Sequence, residues 1–374
     1  MSVKGVAWDE WLGSTLLYEY GDVCATDEMD CVGQVIIIGE LVASLIRHGG
    51  DLVAKVANGQ AQTTSKDRDL YTKFVHSLDI NLDLVGMVFP RHRYSPYFEL
   101  YKRHLGDRQR LKAMMSVKDI DGLNRALNAM CREARTPRFK KIMDNHRRGP
   151  RKNANGAFRY VRALLSRNPG LRVIELELTY QREHELTVRK LFAKMKKDLQ
   201  DPVTAETAWC HREVFLNHLR YRYPTMVGYI WMMRHSAYKS FHTRWTIFLD
   251  GHEFETDECI GHAMGAYWRY DITRQRGSYW CLNGLRGAQK RDLSAGRKIN
   301  DCDTDLRVSL EGRLRCLAWA DYFIRLDTRG IDRIVGKGGM PKPVSTLSGW
   351  GGSSITYAPR GRPIQLELNE LMVP

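Results

Sequence analysis

The chain has 374 residues, 43% of them hydrophobic and 27% charged, enough apolar material for one large or two ordinary domains and too much for a disordered chain. Lys and Arg number 58 against 43 Asp and Glu, a formal net charge of +15, which points to a polyanionic partner, nucleic acid before membrane. The longest apolar run, 35–46, is interrupted by Gly39 and Glu40 and is too short to span a bilayer. The N-terminus has no basic segment followed by an apolar core, so a soluble cytoplasmic protein is expected.

In chain order, apolar residues at three- and four-residue spacing predict helices over 29–47, 67–78, 96–105 and 117–132. Residues 1–150 therefore read as a helical N-terminal domain ending in a basic linker. That linker is the most distinctive stretch. Between Arg132 and Arg172 thirteen basic residues face only Glu133 and Asp144, so this window holds +11 of the +15. Arg138, Lys140, Lys141, Arg147, Arg148, Arg151, Lys152, Arg159 and Arg162 are its candidate phosphate contacts. Phe139, Phe158 and Tyr160 are interleaved with them and could stack on bases. Gly149, Pro150 and Gly156 act as breakers, with a further helix over 156–167.

From residue 171 the pattern changes. LRVIELELTY at 171–180 alternates as a half-buried strand, and 185–199 reads as a basic amphipathic helix. MVGYIWMM at 226–233 and WTIFL at 245–249 are buried strands joined as an antiparallel hairpin. Thr256 caps a helix, with Asp257 and Glu258 in its first turn, and a long helix covers 304–326. The expected architecture is α+β, an antiparallel sheet with helices on one face, over 151–335. An irregular tail occupies 336–374.

The eight cysteines contain no CxxC pair, and Cys259 with His262 is a lone CxxH, so no structural zinc site is expected. No histidine heads the His-x-x-Arg box of a tyrosine recombinase, and the phosphate loop of a helicase is missing.

Three segments carry a resemblance: LRVIELELTYQ at 171–181, YIWMMRHSAYKSFHTRWTIFLDGH at 229–252 and LAWADYFIR at 317–325. Over roughly 157–335 the chain resembles the inovirus Gp2 and YagK/YfjJ-like proteins, phage and prophage relatives of rolling-circle replication initiators of the HUH endonuclease type. The resemblance implies a Rep-type sheet, related to the RRM and palm folds, in a DNA-binding protein of a phage or mobile element. Such a protein nicks and joins single-stranded DNA in the bacterial cell or host, beside host replication proteins and away from membranes. Tyr322 matches the nucleophile, which forms a 5′-phosphotyrosine, and Arg325 the basic residue one turn on.

The family's two metal-binding histidines stand two apart on one strand face, where a Mg or Mn ion would polarise the phosphate. His242 matches the first, but Arg244 stands at the second, and Arg234 replaces a Glu. Guanidinium groups do not ligate cations. His235 and His252 are the candidate replacements, with Glu175 or Glu177. Arg234 and Arg244 would themselves hold phosphate. Two expectations follow: a nicking enzyme with a rebuilt metal site, or an inactive DNA-binding relative acting in replication control or regulation.

Overall fold

A computed structural model describes residues 27–48, 68–116, 119–168, 170–180, 203–251, 255–284, 304–327 and 333–341, with residue 299 and short strands at 17–19, 22–24, 54–55 and 61–62. All of them fall within one compact unit, residues 1–341. Two small hairpins, β1 (Leu17–Glu19) with β2 (Asp22–Cys24) and β3 (Ala54–Lys55) with β4 (Ala61–Gln62), bracket helix α1 (Asp27–His48) in the sequence. Acidic Asp27, Glu28 and Asp30 open α1, and Arg47 with His48 close it, matching the helix dipole at both ends. By length and composition α1 could cross a membrane. Half of its 22 residues are buried inside the protein, however, including Val35, Ile38 and Leu41.

The helical layer continues with α2 (Arg68–Ser77), α3 (Leu82–Val88), strand β5 (His92–Tyr94), α4 (Pro96–Leu105), α5 (Arg108–Ser116) and α6 (Ile120–Arg135). Its starts are set locally. Asn81, Ser95 and Asp119 each accept a backbone N–H of the first turn of α3, α4 and α6, and Pro96 occupies the first turn of α4. Helices α1, α2, α4 and α6 lie where periodicity predicts them. The short α3 and α5 have too few turns to give a periodic signal.

Helix α7 (Pro137–Leu165) has 29 residues and runs without interruption through Gly149, Pro150 and Gly156. The predicted break at the basic centre is therefore not found, and the boundary drawn at residue 150 falls inside a helix. A proline within a helix costs about 3 kcal/mol. Here the loss is offset by one continuous buried stripe, Phe139, Met143, Pro150, Ala154, Ala157, Val161 and Leu164, set against the rest of the fold. Thr136 caps its start.

The main sheet contains β6 (Leu171–Tyr180), β7 (Met226–Ser236), β8 (Ser240–Asp250), β9 (Gly277–Cys281) and β11 (Val335–Lys337). Their order is β11-β7-β8-β6-β9, and every pairing is antiparallel. Helices α8 (Ala205–Arg222) and α9 (Asp257–Tyr267) pack on one face, where Phe215, Leu219, Ile260 and Met264 meet Ile174, Leu176 and Trp245. The α+β architecture is the expected one. The second face is covered too, by α7 and α10 (Thr304–Phe323), whose Tyr160, Val161, Leu310 and Leu314 meet Val173 and Phe248. This second cover is why β6 is buried at nine of ten positions rather than half-buried. Thr256 caps α9 as predicted, accepting from the Cys259 N–H. The helix predicted at 185–199 lies outside the described residues.

Two ends differ from expectation. Helix α10 stops at Phe323, and Ile324–Leu326 form β10, paired with β5. Ile324 and Leu326 are buried while Arg325 is exposed, the alternation of a strand. Gly336 and Lys337, placed in the irregular tail, belong to β11. Glycine is needed at 336, because a β-carbon there would lie 2.4 Å from Trp231 Nε1.

Candidate active site and nucleic-acid interface

The β7–β8 hairpin closes through Ala237, Tyr238 and Lys239, with Ser240 in the left-handed backbone region at φ 55°. Its tip is not solvated. The Ala237 N–H donates to the Val88 carbonyl at 2.9 Å, and the Tyr238 hydroxyl donates to Asp27 Oδ2 at 2.8 Å. The helical layer thus covers the end of the sheet, and β5–β10 pairing ties the two halves a second time.

Beneath this cover lies a cluster of charged side chains. Lys239 donates to Glu177 Oε1 at 2.5 Å, and Arg313 of α10 donates to Glu175 Oε2 at 2.9 Å, all four groups being almost wholly buried. Glu177 and Arg244 are cross-strand partners on β6 and β8. Glu177 Oε2 and the Nε and Nη1 of Arg244 have no hydrogen-bond partner among the described residues. A cavity of about 40 Å³, room for one or a few waters, is lined by Glu28, His92, Arg234, His235, His242 and Asp321, among others.

The electrostatics follow from burial. Burial pushes the Glu28 carboxyl up to about 7, although Lys239 and Ser236 pull it down. It pushes Asp321 up to about 6 against the pull of Arg234 and Arg325. His92 and His242 are lowered to about 3, by burial first, and are neutral at physiological pH. Arg234 is lowered to about 10, again chiefly by burial. For Glu177 burial acts upward, but Lys239, His242 and Arg244 outweigh it and hold the carboxyl below the usual range.

Of the predicted histidine ligands, His242 and His235 are among the described residues. The His242 ring donates from Nδ1 to the Ser240 carbonyl at 3.0 Å, leaving Nε2 as its free lone pair. Its cross-strand neighbour is Arg234, whereas His235 pairs with Phe241 and packs its ring on that side chain. His242 and His235 therefore leave the hairpin on opposite faces, although both line the cavity. Among the described residues His, Cys, Asp and Glu form no group of three able to hold a metal ion, and two guanidinium groups adjoin the site. His252 lies outside the described residues.

Tyr322 and Arg325 are also separated from this cavity. Residues Ala320, Asp321 and Ile324 line it, whereas Tyr322 turns toward α7. There its hydroxyl hydrogen-bonds Arg147, its carbonyl accepts from His146 Nε2 at 2.6 Å, and burial raises its pKa. Arg325 sits on β10 opposite Arg93 and lines a second, outer cleft of about 170 Å³. Sequence reasoning missed Glu28, His92, Lys239, Arg313 and Asp321. Glu28 carried no signal of its own, since it stands among the acidic residues that open α1.

The basic window behaves differently from its aromatics. Arg138, Lys140, Lys141, Arg147, Arg148, Arg151, Lys152, Arg159 and Arg162 are all exposed. Lys141, Arg148, Lys152 and Arg159 recur at helical spacing and form one line about 27 Å long. Lys140, Arg147 and Arg151 form a second. Arg162 is engaged by Glu311 through two bonds at 2.8 and 3.0 Å. Phe139 and Tyr160 are buried, and Phe158 is half-buried under Arg315, so the predicted stacking role does not fit them. Arg234 and Arg244 belong to the interior cluster, not to this surface.

An antiparallel sheet between two helical layers, with a long basic helix across its outer face, defines the class: an α+β protein. Residues 133–319, half of the chain, match the YagK/YfjJ C-terminal domain. The chain belongs to that family. The matched segment takes in all of α7 and ends three residues before Tyr322. No curated protein and no solved structure matches the chain.

Proposed function

We propose that the chain is a replication-initiator-like DNA-binding protein of a phage or other mobile element, working in the cytoplasm beside host replication proteins. Its partner is DNA, single-stranded by preference, and its contact surface is the basic face of α7. The observation that carries this is the exposure of the α7 basic residues in two lines, since phosphate contacts of that kind dominate nucleic-acid affinity. The relation to inovirus Gp2 and HUH initiators rests on the three segments at 171–181, 229–252 and 317–325. Binding and control of replication, rather than strand cleavage, is the favoured role. Arg234 and Arg244 occupy ligand positions, and the Tyr322 phenol is held away from His242.

One observation favours the nicking activity instead. Arg147 hydrogen-bonds the Tyr322 hydroxyl, and a guanidinium there would stabilise the phenolate. In that reaction the phenol oxygen loses its proton and bonds to phosphorus, the bond from phosphorus to the 3′ oxygen breaks, and the 3′ oxygen leaves as a hydroxyl carrying a proton, with a 5′-phosphotyrosine formed. A divalent cation would be required, and no step is assigned to it with this donor set. The test incubates the chain and Tyr322→Phe with Mn²⁺ and labelled single-stranded DNA, with binding and denaturing gels run in parallel. Salt-sensitive binding without a covalent band supports the binding role. A band lost in the variant establishes the nickase, and absence of binding overturns both.

A further inference from the structure

We infer that the outer cleft between α7 and the β10–β11 segment is a phosphate site, taking a backbone phosphate of DNA between Arg325 and Arg333. The inference rests on the DNA-binding role proposed above and locates a phosphate within it. The cleft has a volume of about 170 Å³ and is lined by Gly149, Pro150 and Asn153 of α7, Asp321 and Arg325 of the α10–β10 corner, and Arg333 with its two successors. Arg325 and Arg333 are both exposed. Neither makes a hydrogen bond or ion pair with another described residue. Two guanidinium forks that line one polar hollow without a hydrogen-bond partner among the described residues suit a tetrahedral anion, and Asn153 adds an amide donor to the lining.

The helix is shaped for the close approach. Gly149 has no side chain, and even a β-carbon there would come within 3.6 Å of Arg325 Nη1. Gly149 and Asn153 each follow a member of the line Lys141, Arg148, Lys152, Arg159 by one residue. The cleft therefore opens about 100° around α7 from that line, to one side of it. Asp321 lines both this cleft and the inner cavity. Burial raises its carboxyl to about 6 against the pull of Arg234 and Arg325, so its charge is present at neutral pH and is removed from the cleft only as pH falls below that value.

The test is fluorescence polarisation of a labelled oligothymidylate over a salt series, using the full chain, the double variant Arg325→Gln/Arg333→Gln, and Arg148→Gln/Lys152→Gln on the helix line. All four residues are exposed, and matched melting curves check the fold. The cleft variant is expected to lose about tenfold in affinity and to flatten the slope of log affinity against log salt by about 0.7 to 1.4. Arg325→Lys/Arg333→Lys should restore part of the charge-dependent loss. If the cleft variant binds as the unmodified chain does while the helix variant weakens, the cleft assignment is overturned and the helix surface stands. If the unmodified chain does not bind, the DNA-binding role fails and the cleft assignment with it.

Discussion

The Tyr238 hydroxyl, at the tip of the β7–β8 hairpin, donates to Asp27 at the first residue of α1 across 2.8 Å. That bond joins residues 211 apart in sequence and fastens the helical layer over the end of the sheet. Removing the hydroxyl with Tyr238→Phe leaves the ring in place but strands an acceptor. It should cost about 1–3 kcal/mol, read as a lower midpoint in urea unfolding. An unchanged midpoint would show that the tip is not held there.

Lys239 and Glu177 form a more demanding pair, since both are almost wholly buried. Breaking a buried pair by removing one partner typically costs about 3–5 kcal/mol, because the other charge is left in the interior. Lys239→Met should therefore destabilise far more than Lys73→Met, whose ion pair with Asp69 is exposed. Comparable losses in the two variants would contradict the burial of the cluster.

The same burial sets a pH dependence. Glu28 is raised from 4.5 to about 7. A carboxyl that holds its proton more tightly when folded makes the fold lose stability as pH rises through that interval. Asp321 acts in the same sense between 3.8 and about 6. His92 and His242, lowered from 6.5 to about 3, act in the opposite sense, and their contribution is lost as pH falls below 6.5. Above pH 6.5 the histidines are neutral in both states, so Glu28 dominates this group. Glu28→Gln should gain stability relative to the unmodified chain as pH rises from 5 to 8, measured by urea midpoints. A difference independent of pH would contradict the raised carboxyl.

Tyr322→Phe removes one hydrogen bond to Arg147 and should cost about 1 kcal/mol in stability. On the binding role it leaves DNA affinity unchanged in polarisation titrations. A marked loss of affinity would place the phenol on the DNA.

The strands and most helices were legible because their hydrophobic periods are clean. LRVIELELTY alternates cleanly from Ile174 to Leu178, and the helix start at Thr256 carries its own cap. The continuity of α7 was not legible. Gly149 and Pro150 are local breaking signals, and what overrides them is packing along Phe139, Met143, Ala154 and Val161, which no short window contains. The exposed basic surface could be read from charge density alone, but the burial of Phe139 and Tyr160 depends on which way the helix faces. The interior cluster was largely hidden. Glu28, His92, Glu177 and Asp321 are scattered over nearly 300 positions and meet only because the helical layer folds onto the hairpin tip. Tyr322 was correctly placed near the end of a helix, yet its direction away from His242 is a property of the packed α7–α10 pair.

Contact between the exposed line on α7 and the DNA backbone is tested by the salt dependence of oligonucleotide affinity. The unmodified chain would be compared with a variant carrying Gln at Lys141, Arg148, Lys152 and Arg159. A steep linear fall of log affinity with log salt is expected, with a slope shallower by about 2.8 in the variant, at about 0.7 per single-strand phosphate contact. Equal slopes and equal affinities in the two proteins would contradict it.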